Sequence, residues 1–147
     1  MKEYTYLGVC FSKSGLFGEA AKQFSKKSSI ASLSTLGVIN RAKITSFGTM
    51  NKLFQALVNS VTLYACEICG VSHLDIMLEI QNSFFKTLLG LPKCIPHYAL
   101  RFEVQIVSIE IRVFKLILNL IEKVLIMENG RYPKTLLYAF LDLEFNN

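Results

Sequence analysis

Four cysteines and two histidines are the residues of this sequence best suited to hold a metal, and they include Cys66-x-x-Cys69, Cys94-x-x-His97 and His73. Thiolates and imidazoles at such spacing are the ligands from which tetrahedral zinc sites are built. Neither pair is flanked by the glycine and charge of a zinc knuckle, and Cys66 ends an apolar run in which a free thiol packs as a small hydrophobe. The sequence therefore predicts no metal site and no other cofactor. Acyl-transfer chemistry needs a nucleophile, a base and an orienting acid, but only His73 and His97 are available and no Gly-x-Ser-x-Gly elbow occurs. Two-metal nucleotidyl transfer needs clustered carboxylates, and the only aspartates, Asp75 and Asp142, stand far apart. The eight glycines are scattered and form no phosphate-binding loop. No catalytic residue is predicted.

Cations are the remaining candidates. The chain carries 16 Lys and Arg against 11 Asp and Glu, a net charge of +5. The excess sits in the first 60 residues, where Lys2, Lys13, Lys22, Lys26, Lys27, Arg41, Lys43 and Lys52 face only Glu3 and Glu19. That asymmetry points to a polyanion meeting the first half while the second half serves as scaffold, with a solvated lysine face as the plain alternative. Lys22 and Lys26 lie one helical turn apart, so both ammonium groups project from one face and can bridge neighbouring phosphates; Lys27 flanks them. Ser25, Ser28, Ser29 and Ser32 add small hydroxyl donors among them, a mixture suited to phosphate contact more than to base readout. Arg101 reads as a structural partner for a helix end or for Glu103, and Arg131 as similarly structural.

The elements that must position these residues are mostly helical. Tyr4 to Phe11, rich in β-branched and aromatic residues, reads as one strand or the arm of a hairpin. From Leu16 the apolar spacing turns to three, four and seven through Phe17, Ala20, Ala21, Phe24, Ile30, Ala31 and Leu33, with Gly37 ending or interrupting the helix. Thr49 is the expected N-cap of a central apolar helix, and Ser72 with Asp75 the expected capping box of the next, which Gly90 stops. Pro96 opens a short helix. Ser108 caps the longest amphipathic run, with Ile111, Phe114, Leu118, Ile121 and Leu125 on a stripe expected to be buried, and a last short helix follows Pro133.

A chain of 147 residues suits one domain, and 52% hydrophobic against 18% charged residues excludes a disordered protein. A mean hydropathy of +0.39 exceeds what so small a domain can hide, which predicts apolar surface that meets a partner. A membrane is not that partner on this reading: the longest uncharged run, Leu53 to Cys66, falls short of the ~20 apolar residues that a spanning helix needs. Met1 to Tyr4 contains no apolar signal region, so an intracellular location is expected, whether cytoplasm or nucleus.

The order of short words along the chain carries a resemblance. Tyr6-Leu7-Gly8-Val9, Phe11-Ser12, Gly15-x-Phe17, Leu53-Phe54-x-x-Leu57-Val58, Leu63-Tyr64-x-x-Glu67-Ile68-x-Gly70, Ile80-Gln81-x-x-Phe84-x-Lys86-x-Leu88-Leu89-Gly90-Leu91-Pro92, Pro96-x-Tyr98-Ala99-Leu100-Arg101-x-Glu103 and Arg131-Tyr132-Pro133 follow one another over nearly the whole sequence. Together they resemble the region after the polymerase palm in LINE-type, non-LTR retrotransposon reverse transcriptases. The departures are Cys69 where that family has tryptophan, loss of a proline around Asn59, and Val104-Gln105 in place of a glycine.

The resemblance implies that residues 1–15 correspond to the end-of-palm strand near the primer grip and residues 16–147 to the helical thumb and connector. It also implies that the family's catalytic aspartates belong to palm motifs upstream of Tyr6, so this chain by itself is no enzyme. The expected fold is mainly α: a short N-terminal β-strand or hairpin followed by a bundle of five to six helices. The expected function is that of a non-catalytic fragment of an RNA-directed DNA polymerase whose thumb-like region contacts template–primer phosphates through Lys22, Lys26, Lys27, Arg41 and Lys43. An RNA–DNA or other nucleic-acid duplex and the palm of the parent polymerase are its expected partners. The alternative is a small helical interaction or dimerisation module that uses its apolar surface to self-associate and has no nucleic-acid role.

Overall fold

A computed structural model describes residues 3–6, 8–12 and 17–145. The chain opens with an antiparallel hairpin, β1 (Glu3–Tyr6) and β2 (Val9–Ser12), paired Tyr4 to Phe11 and Thr5 to Cys10. The segment predicted as a strand or hairpin is a hairpin: Tyr6 pairs with Val9, and Gly8, in the turn before Val9, takes a φ of +82°, which glycine adopts without penalty. Cys10 is buried, Tyr4 and Tyr6 are exposed, and the Phe11 ring meets that of Phe17 edge-on at 5.8 Å, which ties the hairpin to the start of the helical part.

Helix α1 (Gly18–Arg41) follows, 24 residues long. It does not stop at Gly37, contrary to the sequence expectation. A mid-helix glycine costs only ~1 kcal/mol relative to alanine. Burial of Thr35 and Ile39 on either side of it outweighs that cost and carries the helix on. Helix α2 (Phe47–Leu53) starts at Ser46, not Thr49, and runs without a break through a π-helical turn (Phe54–Asn59) into α3 (Ser60–Thr62). Phe54 and Val58 are buried as expected, but Leu57 and Tyr64 face outward.

A left-handed residue, Ala65 (φ +57°), turns the chain into α4 (Cys66–Cys69), and a 3-10 turn (Val71–His73) leads to α5 (Leu74–Leu88). His73 occupies the N-cap position of α5; the side chain of Ser72, the cap expected from sequence, lies outside the described residues. Gly90 at φ +63° ends α5 as expected, with the Leu91 amide returning to the Lys86 carbonyl at 2.8 Å. Helices α6 (His97–Val104), α7 (Ile109–Ile126) and α8 (Tyr132–Phe145) complete the chain. The mainly helical architecture with an N-terminal hairpin is the one predicted. Among the described residues no helix is long and apolar enough to cross a membrane.

Two apolar clusters hold these elements together. Ile39, Phe54, Val58, Phe84, Phe85, Leu100 and Ile106 form the first, and the rings of Phe54, Phe84 and Phe85 lie 4.6–5.2 Å apart. Tilted and edge-on ring pairs at this separation add ~0.5–1.5 kcal/mol each beyond their buried area. Cys66, Met77, Ile109 and Val113 form the second and lock α7 against α4 and α5. Gly70 sits between them: a Cβ there would meet the Cys66 carbonyl and come within 2.9 Å of Val113 Cγ1, so only glycine permits this approach. Gln81, buried inside the apolar face of α5, ties the α6–α7 junction. Its amide nitrogen donates to the Val107 carbonyl and its oxygen accepts from the Ile109 N–H, both at 3.0 Å. It thereby satisfies a helix-start donor that Ser108 does not.

Candidate nucleic-acid interface

Four of the five predicted phosphate-binding cations lie on one continuous helix, and all five are exposed. Lys22, Lys26, Lys27 and Arg41 project from α1, and Lys43 follows in the turn beyond it at φ +49°. At 1.5 Å and 100° per residue, Lys22 to Arg41 spans ~28 Å along the axis, within an arc of about 140° opposite the buried face. Ala20, Ala21, Phe24, Ser28, Thr35 and Ile39 anchor that buried face, so the helix presents its cations on a rigid support.

The individual environments differ. Lys22 Nζ donates to Glu19 Oε1 at 2.8 Å, one turn away on the exposed face. That hydrogen bond, and secondarily the carboxylate charge, raise the Lys22 pKa above the ordinary lysine value, so the ammonium is fully charged near neutrality but already has an anion beside it. Lys27 Nζ stands 5.6 Å from the centroid of the Phe24 ring, a cation–π distance that leaves its outward side open. Lys26 is exposed and takes part in no ion pair among the described residues. Ile30, Leu33 and Val38 are exposed on the same side, so the cationic track is interrupted by apolar surface.

The serines divide. Ser29 is exposed, but its hydroxyl donates to the Ser25 carbonyl; Ser28 is buried and hydrogen-bonds the Thr62 hydroxyl at 3.0 Å. Ser28 therefore joins α1 to α3 and is not available to a ligand, a correction to its sequence reading that follows from its position on the core side of α1. Arg101 is structural, as expected, but with different partners. Its guanidinium donates to Ser108 Oγ at 2.9 Å and lies 3.6 Å from Glu110, not Glu103.

No three Cys, His, Asp or Glu side chains among the described residues are grouped so as to hold a metal. Cys66 is buried in the second cluster and Cys94 is exposed on the connection after α5; the Cys69 side chain lies outside the described residues. Sequence reasoning missed an open groove of about 770 Å³ beside the hairpin, lined by Tyr6, Asn59, Tyr64, Glu67 and Arg112 among others. Both amide atoms of buried Asn59 and the Nε of Arg112 have no hydrogen-bond partner among the described residues. An asparagine in the middle of an apolar helical run was the signal available for it.

Comparison with known proteins finds no matching family model, no matching curated protein and no matching solved structure.

Proposed function

We propose that the chain is a non-catalytic piece of a LINE-type reverse transcriptase, a thumb-like helical unit that rests on the phosphates of a template–primer duplex. The ordered series of sequence words carries this reading, and the exposed cationic side of α1 supports it with a surface that a nucleic acid fits. In this reading Lys26 and Lys27 make the primary phosphate contacts, Lys22 contributes less because Glu19 stands beside it, and Arg41 and Lys43 extend the track. The chain supplies position and charge only, and the chemistry of copying belongs to a palm domain.

Fluorescence anisotropy with a labelled RNA–DNA duplex tests it. Binding should weaken linearly on a log–log plot against salt, and each phosphate-contacting lysine replaced by alanine should lower the slope by about 0.9. Absence of binding at ~50 mM salt would end the proposal. A second reading, a self-associating helical module, is favoured by one observation: the stripe of large apolar side chains that α7 leaves exposed.

A further inference from the structure

Helix α7 carries two apolar faces, and only one of them is used. Ile109 and Val113 are buried in the second cluster, and Leu116 and Ile117 pack against it. Ile111, Phe114, Leu118, Ile121 and Leu125 follow a strict three-four spacing on a different face, centred about 135° around the helix from the first. Their exposure runs from 38% at Ile121 to 64% at Leu118. The stripe that the sequence predicts as core is therefore surface. Its spacing is that of a coiled-coil seam, in which side chains every 3.5 residues on average meet those of a facing helix. Side chains of this size, half exposed, present roughly 100 Å² each, so two copies face to face cover on the order of 1,000 Å², the lower bound for a specific interface.

The charges beside the stripe indicate what covers it and in which direction. Lys115 and Glu122 stand on one flank, seven residues apart; both are exposed and neither belongs to an ion pair among the described residues. The other flank carries Ile117 and Val124, with Glu110 at its N-terminal end engaged by Arg101 and Ser108. In an antiparallel pair of such helices like flanks face each other. With Phe114 against Leu125 of the second copy and Leu118 against Ile121, Lys115 of each copy comes opposite Glu122 of the other, and the two-fold axis repeats the pair. A parallel pair sets Lys115 against Glu110, which already holds Arg101 and Ser108, and sets Glu122 against Ile117. The first turn of α7 is embedded in the second cluster, so a parallel arrangement also crowds both protein bodies at one end, whereas an antiparallel one places them at opposite ends.

We propose that two copies of this chain associate through the exposed stripe of α7, antiparallel, with reciprocal Lys115–Glu122 pairs. The inference is independent of any nucleic-acid role. Analytical ultracentrifugation of the whole chain over a range of concentrations should show a monomer–dimer equilibrium. Lys115→Glu and Glu122→Lys each create two like-charge contacts and should each weaken the dimer by about tenfold or more. An equimolar mixture of the two variants restores both opposite-charge contacts and should return to wild-type strength. Leu118→Gln should leave the far-UV circular dichroism unchanged and abolish the dimer. A wild-type chain that stays monomeric, its stripe then open to a different protein, overturns the proposal. A mixture no tighter than its components, or a dimer indifferent to Leu118→Gln, overturns it as well.

Discussion

Gln81 makes two hydrogen bonds with one carboxamide, to the last carbonyl before Ser108 and to the first amide of α7. Gln81→Ala removes both and leaves the buried Ile109 N–H without a partner, which should cost about 1–3 kcal/mol, read as a lower midpoint in urea unfolding with an unchanged slope. Gly70→Ala should cost about 1–3 kcal/mol by a different route, because its methyl group meets Val113 Cγ1 and the Cys66 carbonyl, both from buried residues of the second cluster. At the surface, Glu19→Gln releases the Lys22 ammonium and removes an anion from the cationic side of α1. Duplex affinity should rise about two- to fivefold in the anisotropy assay. The raised pKa keeps Lys22 charged: whatever the ion pair adds to stability is complete below the ordinary lysine value and fades only as pH rises through the elevated one. Lys22 itself therefore carries its full charge throughout the neutral range. Several polar residues within the short sequence words are tie points of this kind: Gln81, Lys86, whose Nζ donates to the Lys93 carbonyl, and Arg101.

Among the elements, α1 shows how a local rule yields to packing. Gly37 sits inside 24 helical residues, half-buried, and a Cβ there would make only ordinary contact, 3.5 Å from an Arg41 nitrogen. Gly37→Ala should therefore stabilise the chain by about 0.5–1 kcal/mol, measured as a rise in the urea midpoint. The residues that misled the sequence reading were those whose meaning depends on what lies across from them. Gly37 is a stop signal when nothing holds the next turn, and Ile39 holds it. The period of α7 was legible in Ile111, Phe114, Leu118, Ile121 and Leu125, but a helix apolar on two sides does not reveal in its own residues which side the body takes. The stop at Gly90 was legible because its positive φ is a local demand, and so was the opening of α6 at Pro96. The hairpin was half legible: composition marked strand, and the turn at Gly8 hid within an apolar run.

On the scale of the molecule, stability is uneven. Helix α5 contributes to both clusters through Phe84, Phe85 and Met77, whereas no described residue of α8 is buried. Hydrogen exchange at low protein concentration should show α5 amides opening only with global unfolding and α8 amides exchanging orders of magnitude faster. The candidate cationic surface was legible as a run of lysines, since charge needs no partner to be read; the Asn59 groove was not, because Tyr6, Tyr64 and Arg112 come from three distant stretches of sequence.

The wide turn from Phe54 to Asn59 has a consequence for how this chain tolerates change in length. An α-helix that loses one residue swings everything beyond the cut by about 100° and carries its apolar side out of the interior. A π-helical turn already contains one surplus position, taken up as a bulge, so excising exposed Ala56 should let the backbone relax to ordinary α winding with Phe54 and Thr62 still facing their neighbours. Excising Ala31 from α1, which has no such slack, should unfold the protein.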